Sequence, residues 1–517
     1  MNGAQSLVHT LVDSGVDVCF ANPGTSEMHF VAALEDIDAM RGVLGLFEGV
    51  VTGAADGYAR IADRPAATLL HLGPGLGNGW ANLHNARRAH TPLVNIVGDH
   101  ATHHKQYDAP LDSDIEALAG SLGTWVRRSR CTSEIGRDAA AAVAAAREGA
   151  GQIATLILPA DASWGGGGER GVLVAPPSKS VVNPATVDHV ASVLTSGEPA
   201  ALLIGGGACR EAGLLATSRL AVATGVKTFV ETFPTRLERG EGVPMVERLG
   251  YLPEQATVQL GNIKHLVVAG AKPPVAFFAY PGVASNLVPE GTQVHMLADT
   301  AQDVVRALAD VADLVAGDVE PLLQKAVRRP LPSGLLTPQN WVDVISALLP
   351  ARAIIVDESN TSGLLLPAAT AGAPRHDVLT LTGGAIGYGL PVATGAAVAA
   401  PDRPVIGLQA DGSAMYTISA LWTQARENLN VTTVLLNNHA YAILRLELQR
   451  VGAGADGPQA DNLLDLSGPD LDFVKIAEGM GVPATRATTA EELAAQFSAA
   501  LSESGPHLIE AIVPSLF

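Results

Sequence analysis

Residues 405–422, VIGLQADGSAMYTISALW, and residues 432–438, TTVLLNN, decide the fold. Val405–Leu408 and Thr433–Leu436 are short apolar runs that read as buried strands. Each ends in a polar turn, and a helix is predicted from near Ile418. The turn Ala410–Ala414 joins the first strand to that helix, so its free backbone N–H groups and the positive helix end favour an anion such as phosphate. Gly412 lets the backbone approach a ligand closely. Asp411 supplies a hard oxygen of the kind that magnesium or calcium takes. Asn438 follows 27 residues after Asp411, about one helix plus one strand. In a parallel sheet that spacing brings both side chains to one edge. Taken singly, Asp-Gly-Ser and Asn-Asn are ordinary turns. Together at two strand ends they read as a metal-and-diphosphate site, in which a carboxylate, an amide oxygen and a main-chain carbonyl hold a cation.

The same rhythm runs along the chain. Val16–Phe20, Ala67–Leu72, Leu93–Val97, Ile153–Leu158, Ala200–Ile204, Leu266–Val268 and Ala353–Val356 are apolar runs alternating with Ala- and Leu-rich helical stretches. Nearly continuous apolar strands between helices predict an α/β fold with mostly parallel sheets flanked by helices. The chain's 517 residues exceed one domain. Gly165–Pro184, with GGGG and Pro176-Pro177, and Arg328–Pro338, with RRPLPSG, break the rhythm. They predict three domains over residues 1–165, 185–327 and 338–517.

Composition removes several functions. Thirty-three Lys and Arg against 52 Asp and Glu give a net charge of −19, the wrong sign for a phosphate-neutralising nucleic-acid surface. Cys19, Cys131 and Cys209 are odd in number and far apart, without zinc spacing. No apolar run reaches the length of a membrane span. The N-terminus lacks the basic start and apolar core of a signal peptide, so a cytoplasmic location is expected.

Two further stretches complete the pattern. LFEGVVTGAADGYAR (46–60) places Glu48 among apolar neighbours at the start of a small-residue helix, where lost hydration favours sharing a proton. On its own such a Glu is equally a helix N-terminal charge. GGAIGYGLP (383–391) is a tight glycine turn holding one bulky Ile386.

DGSAMYTISALW with LNN resembles the signature of thiamine-diphosphate enzymes, Gly-Asp-Gly-Ser followed by an Asn pair, with Ala410 standing for the first Gly. The order of motifs over almost the whole chain is similar to the 2-oxo acid decarboxylase and acetolactate synthase-like family, closest in pattern to benzoylformate decarboxylase and the smaller acetolactate synthase-like proteins. That resemblance implies pyrimidine-binding and diphosphate-binding domains around a Rossmann-like central domain. It implies thiamine diphosphate with Mg²⁺ held by Asp411, Asn438 and the Ala440 carbonyl. Asn360 and Thr361, in DESNTSG, would contact the diphosphate, with Gly412, Ser413 and Tyr441 also at the cofactor. The Gly384 carbonyl would accept from the exocyclic amine, and Ile386 would wedge the two rings into a V. Glu48 would hydrogen-bond the aminopyrimidine. Thr25, in NPGTSE, stands where benzoylformate decarboxylase has a substrate-binding Ser, and His71, before the glycine-rich loop Gly73–Gly79, where it has a proton-shuttling His.

The resemblance has departures. Gly98-Asp99-His100 replaces a frequent Gly-Gln, and His103 and His104 follow in what is either a substrate loop or a solvated turn. The second active-site His of benzoylformate decarboxylase has no counterpart in Pro274–Pro281, which offers Phe or Tyr and an apolar wall. The turn Gly205-Gly206-Gly207 has Arg210 where a dinucleotide fingerprint needs its third glycine, so FAD is not expected. The implied partners are a small 2-oxo acid and a second copy of the chain, in a homodimer or homotetramer with active sites at the subunit interface. Aldehyde release and carbon–carbon ligation both stay open. The competing functions are a catalytically silent cofactor-binding homologue or regulatory subunit, and a dinucleotide oxidoreductase.

Overall fold

The computed structural model describes residues 1–175, 178–453 and 457–515; Pro176-Pro177, part of the first predicted linker, lie outside these residues. Three sheets organise the chain. The first contains β1 (Val18–Asn22), β2 (Arg41–Leu44), β3 (Ala66–Leu70), β4 (Leu93–Asp99), β5 (Trp125–Arg128) and β6 (Ile153–Pro159) in the order β2-β1-β3-β4-β6-β5. The central sheet takes β7 (Ala200–Ile204), β8 (Lys227–Val230), β10 (Glu247–Arg248), β11 (His265–Ala269) and β12 (Gln293–Ala298) in the order β10-β8-β7-β11-β12. Both are parallel throughout. The third sheet is β17-β18-β16-β15-β13-β14-β9, built from β13 (Ile354–Glu358), β14 (His376–Thr380), β15 (Val405–Ala410), β16 (Val431–Asn437), β17 (Ala484–Ala487) and β18 (His507–Ile512). Its last edge strand, β9 (Leu237–Arg239), crosses over from the central stretch of the chain and runs antiparallel to β14.

Two expectations are corrected. The strand predicted to end at Leu72 stops at Leu70, and His71 caps a helix over Leu72–Arg88. The predicted glycine-rich loop Gly73–Gly79 is therefore helical. Glycine is a poor helix former, but packing against the helix Glu48–Ala62 leaves little space for larger residues at two of these positions. A Cβ on Gly75 would lie 3.0 Å from Glu48 Oε1, and one on Gly79 would lie 2.8 Å from Thr52 Cγ2. The helix predicted from near Ile418 runs over Ala420–Arg426, and a separate helical turn precedes it at Asp411–Ala414. The Thr417 hydroxyl between them donates to the Gly387 carbonyl at 2.9 Å, which ties this break to the 383–391 turn.

The first and third sheets are joined by the helices Glu48–Ala62 and Gly389–Ala399, which touch backbone to backbone. A Cβ on Gly57 would lie 2.1 Å from the Val392 carbonyl oxygen, and one on Gly395 would lie 1.8 Å from that of Ala54. The Gly57→Ala variant is expected to lose at least about 1–3 kcal/mol of stability, because the obstructing atom is backbone and cannot rotate away. Urea unfolding measures this; an unchanged midpoint would show that the two helices separate freely. Beside this contact Arg60 pairs with Asp56 at 2.6 Å, both fully buried, and Arg236 reaches Asp377 at 2.9 Å and the carbonyls of Arg60 and Ile61 at 3.2 Å. Among the described residues no helix is long and apolar enough to cross a membrane.

Candidate active site

Asp411 stands at the carboxyl end of β15, beside β16 in register Ala410↔Leu436. Its Oδ1 accepts from the Gly412 N–H at 2.8 Å, and its Oδ2 from the N–H groups of Asn438 at 3.1 Å and His439 at 2.7 Å. Burial pushes the Asp411 carboxyl up from its ordinary range, and these N–H groups offset only part of that. Asn438 Oδ1 accepts from the Ala440 N–H at 3.1 Å, while its Nδ2 donates to Ser362 Oγ at 3.5 Å. Ser362 belongs to the short turn Asn360–Gly363, which brings Asn360 and Thr361 to the same edge. Tyr441 lies over Gly412, where a Cβ would come within 2.5 Å of its ring. Ser413 turns inward instead, donating to the Ala410 carbonyl at 3.1 Å and accepting from Gln409 Nε2 at 2.7 Å. Asn360 and His439 hold positive φ of 49° and 57°, sparsely populated conformations that concentrate at functional sites.

The donor set suits a hard cation. One desolvated carboxylate and one amide oxygen leave coordination positions for a ligand's own oxygens. Among the described residues no group of three His, Cys, Asp or Glu side chains is placed to hold a metal alone. A diphosphate-bound Mg²⁺ fits this arrangement better than a free-standing metal centre does.

The Gly383–Gly389 turn is anchored from both sides. Glu358, at the end of β13, is fully buried and accepts from the N–H groups of Gly387 at 2.8 Å, Tyr388 at 3.3 Å and Gly389 at 2.7 Å, and from Gln409 Nε2 at 2.9 Å. From the helix Leu72–Arg88, Asn85 Nδ2 donates to the Ala385 carbonyl at 2.8 Å and Asn82 Nδ2 to that of Gly387 at 3.2 Å. The turn places Gly384 at φ +74° and leaves Ile386 partly buried against the core. Phe277 is the aromatic of the 274–281 run that reaches this turn: a Cβ on Gly384 would lie 2.7 Å from its ring. Phe233 and Tyr251 pack around Phe277 at 5.7 and 5.2 Å. Glu358 was missed in the sequence, because the N–H groups it serves follow 29 to 31 residues later.

In the first sheet, Glu48 opens its helix with 8% of its surface exposed and accepts from Asn78 Nδ2 at 3.0 Å. His71 is its neighbour across Gly75, whose Cβ would lie 3.5 Å from that of His71 and 3.0 Å from Glu48 Oε1. Thr25 begins a short 3₁₀ turn, with its side chain exposed. The same turn carries Ser26 and Glu27 against His71, a contact absent from the sequence reading. Asn78 was missed as well. Asp99, at the position where the family often has Gln, is fully buried and paired with Arg128 and Lys105. His103 is 70% exposed at its side chain and lies on a solvated turn.

A cleft of about 750 Å³ lies elsewhere, between the first and central sheets, lined by Arg87, Arg88, Arg210, Glu231, Gly270 and Lys272 among others; Glu48, His71 and Asp411 do not line it. In it, Glu231 Oε1 accepts the Gly206 N–H at 3.2 Å, so the glycine turn donates to the chain's own carboxylate. Burial pushes that carboxyl up to about 7 from an ordinary 4.5. A folded value above the unfolded one stabilises the fold at low pH, and this contribution is lost as pH rises through about 7. Stability is therefore expected to fall between pH 5 and pH 8, and Glu231→Gln to flatten that fall. Urea midpoints across this range test it; parallel profiles for the two proteins would refute it.

The chain matches two family models, "Thiamine pyrophosphate enzyme, N-terminal TPP binding domain" over residues 1–118 and "Thiamine pyrophosphate enzyme, C-terminal TPP binding domain" over residues 365–511. It is 64% identical over 519 residues to a Mycobacterium tuberculosis protein named "Putative acetolactate synthase large subunit IlvX", with 100% of each chain covered. It is 31% identical to a Pseudomonas aeruginosa benzoylformate decarboxylase, with 96% of each covered. Among solved structures, the thiamine diphosphate-dependent 4-hydroxybenzoylformate decarboxylase of Rhodococcus jostii RHA1 superimposes with a TM-score of 0.86 at 26% identity, covering 99% of both chains.

Proposed function

The chain belongs to the thiamine-diphosphate-dependent enzymes of the acetolactate synthase and benzoylformate decarboxylase family, and on that premise we propose that it decarboxylates a small 2-oxo acid with Mg²⁺ as second cofactor, then releases an aldehyde or joins the product to a second carbonyl compound. Bound thiamine diphosphate would supply the electron sink that the departing CO₂ requires. Asp411, Asn438 and the Ala440 carbonyl would hold Mg²⁺, and Asn360, Thr361 and Gly412 would line the diphosphate. Gly384 and Ile386, on the turn that Glu358 anchors, would position the pyrimidine end. Glu48 would hold a proton there. His71 would move protons on the substrate side, with Thr25 beside the substrate carboxylate and Phe277 as an apolar wall.

The observation that carries this reading is the pairing, in one chain, of a near-buried Glu48 beside His71 with the Asp411–Asn438 cluster at a second sheet edge. Large apolar side chains left at the surface near these clusters, Leu46, Leu364, Leu365, Met415 and Tyr416, support a second copy of the chain completing the site. Thermal unfolding with thiamine diphosphate and Mg²⁺ tests the cofactor, and a shift only with NAD would overturn it. Incubation with pyruvate, branched 2-oxo acids and benzoylformate, scoring CO₂ and coupled product separately, then resolves the reaction. Sedimentation resolves the assembly.

A further inference from the structure

We infer that Glu27 is a positioning residue that holds His71 as the Nδ1–H tautomer, leaving Nε2 as the nitrogen that exchanges protons at the site. Glu27 is fully buried, and its Oε2 lies 2.8 Å from His71 Nδ1. Two donors already point at the same carboxylate: the Gly24 N–H reaches Oε2 at 2.7 Å, and the Ser26 hydroxyl reaches Oε1 at 2.7 Å. An ionised carboxylate only accepts, so the third group against it must donate, and that group is Nδ1–H. Ser26 is not the competing partner, because its oxygen stands 3.4 Å from Nδ1 and its hydrogen is committed to Glu27.

The backbone is shaped for this pair. A Cβ on Gly98 would lie 1.6 Å from Glu27 Oε1, and one on Gly24 would lie 2.3 Å from His71 Nδ1. Two glycines on separate strand ends are thus required to admit the carboxylate and the ring. The strand register brings these ends together, with Asn22 beside Leu70 and Leu70 beside Val97. Leu72, directly after His71, adopts φ +51°, a left-handed conformation that is uncommon for a bulky residue. It turns the chain from β3 into the helix, with His71 at the junction. When Nε2 takes a proton, the imidazolium faces a carboxylate held in place by two other donors, as in the orienting acid of a catalytic triad.

The inference deepens the proton-transfer role proposed for His71 and rests on it for its functional meaning, while the tautomer is measurable without substrate or cofactor. In unliganded protein labelled with ¹⁵N-histidine, the long-range ¹H–¹⁵N pattern of His71, assigned by its loss in His71→Gln, is expected to show Nδ1–H. Glu27→Ala is expected to abolish that single tautomer. Glu27→Gln keeps a carbonyl oxygen for Nδ1–H and is expected to retain it, which guards against a Glu27→Ala chain that does not fold. Turnover should fall about 100-fold in Glu27→Ala, the scale of a misdirected proton-transfer group, and less in Glu27→Gln. An Nε2–H pattern in the wild-type protein, or an unchanged pattern in folded Glu27→Ala, overturns the inference. A lost tautomer with unaffected turnover upholds the positioning and refutes the catalytic role of His71 instead.

Discussion

Replacing Glu48 by Gln is expected to cut turnover by at least about 100-fold while leaving cofactor affinity near that of the wild-type protein. The substitution preserves shape, and its amide oxygen still accepts from Asn78 Nδ2, now 3.0 Å from Oε2. What it removes is the ability to take and return a proton at a site with little water, since only 8% of Glu48 is exposed. The competing explanation for this residue is a charge at the N-terminus of the helix Glu48–Ala62, which the helix dipole stabilises by about 0.3–1 kcal/mol. The two roles separate cleanly. A helix-end charge predicts a small loss of stability and normal turnover; a proton-holding acid predicts lost turnover at nearly unchanged stability and unchanged thiamine diphosphate binding. Steady-state kinetics alongside urea unfolding distinguishes them, and near-normal turnover in Glu48→Gln would remove Glu48 from the chemistry.

The part of this molecule that was legible in sequence is the part where local pattern and tertiary environment agree. Parallel strands covered on both faces must be apolar along their length, so runs such as Ala200–Ile204 announce themselves, and that strand occupies the predicted residues. The edge strand β9 does not, because Leu-Glu-Arg carries no apolar run and its pairing with β14 is decided by distant chain. The helix over Leu72–Arg88 was hidden for the opposite reason. Local propensity argues against a helix containing four glycines in its first eight residues, and tertiary packing decides otherwise: the helix Glu48–Ala62 lies close against Gly75 and Gly79, and Ser113 against Gly73. Motif residues such as Asp411 and Asn438 could be placed because their spacing encodes one crossover. Glu27 and Glu358 could not, since each serves groups that the sequence holds far away: Glu27 the ring of His71, and Glu358 the N–H groups of Gly387–Gly389. Residues that touch a ligand recur in recognisable motifs, whereas residues that hold those residues are chosen by the geometry of strand ends.

Asp411→Ala is expected to abolish cation-dependent cofactor binding, and two separate losses drive this. The first is the hard oxygen itself, in a chain where no three His, Cys, Asp or Glu side chains among the described residues are grouped to hold a cation without it. The second is architectural. One Asp411 oxygen ties the N–H groups of Asn438 and His439 to the end of β15, so removing it frees the segment that presents Asn438 and the Ala440 carbonyl. For the wild-type protein, thiamine diphosphate with Mg²⁺ at about 100 times its Kd should stabilise the fold by about 2.7 kcal/mol, and the same addition with chelator in place of Mg²⁺ should give little. The Asp411→Ala variant should give no shift in either case. The acid limb offers an independent check. Burial holds the Asp411 carboxyl above its ordinary range, so protons compete with the cation at a higher pH than they would at an exposed aspartate. Cation-dependent stabilisation of the wild-type protein should therefore weaken on acidification before exposed carboxylates titrate. Unchanged cofactor affinity in Asp411→Ala would mean that the diphosphate is held by the turns alone, and the cation would have to be sought elsewhere.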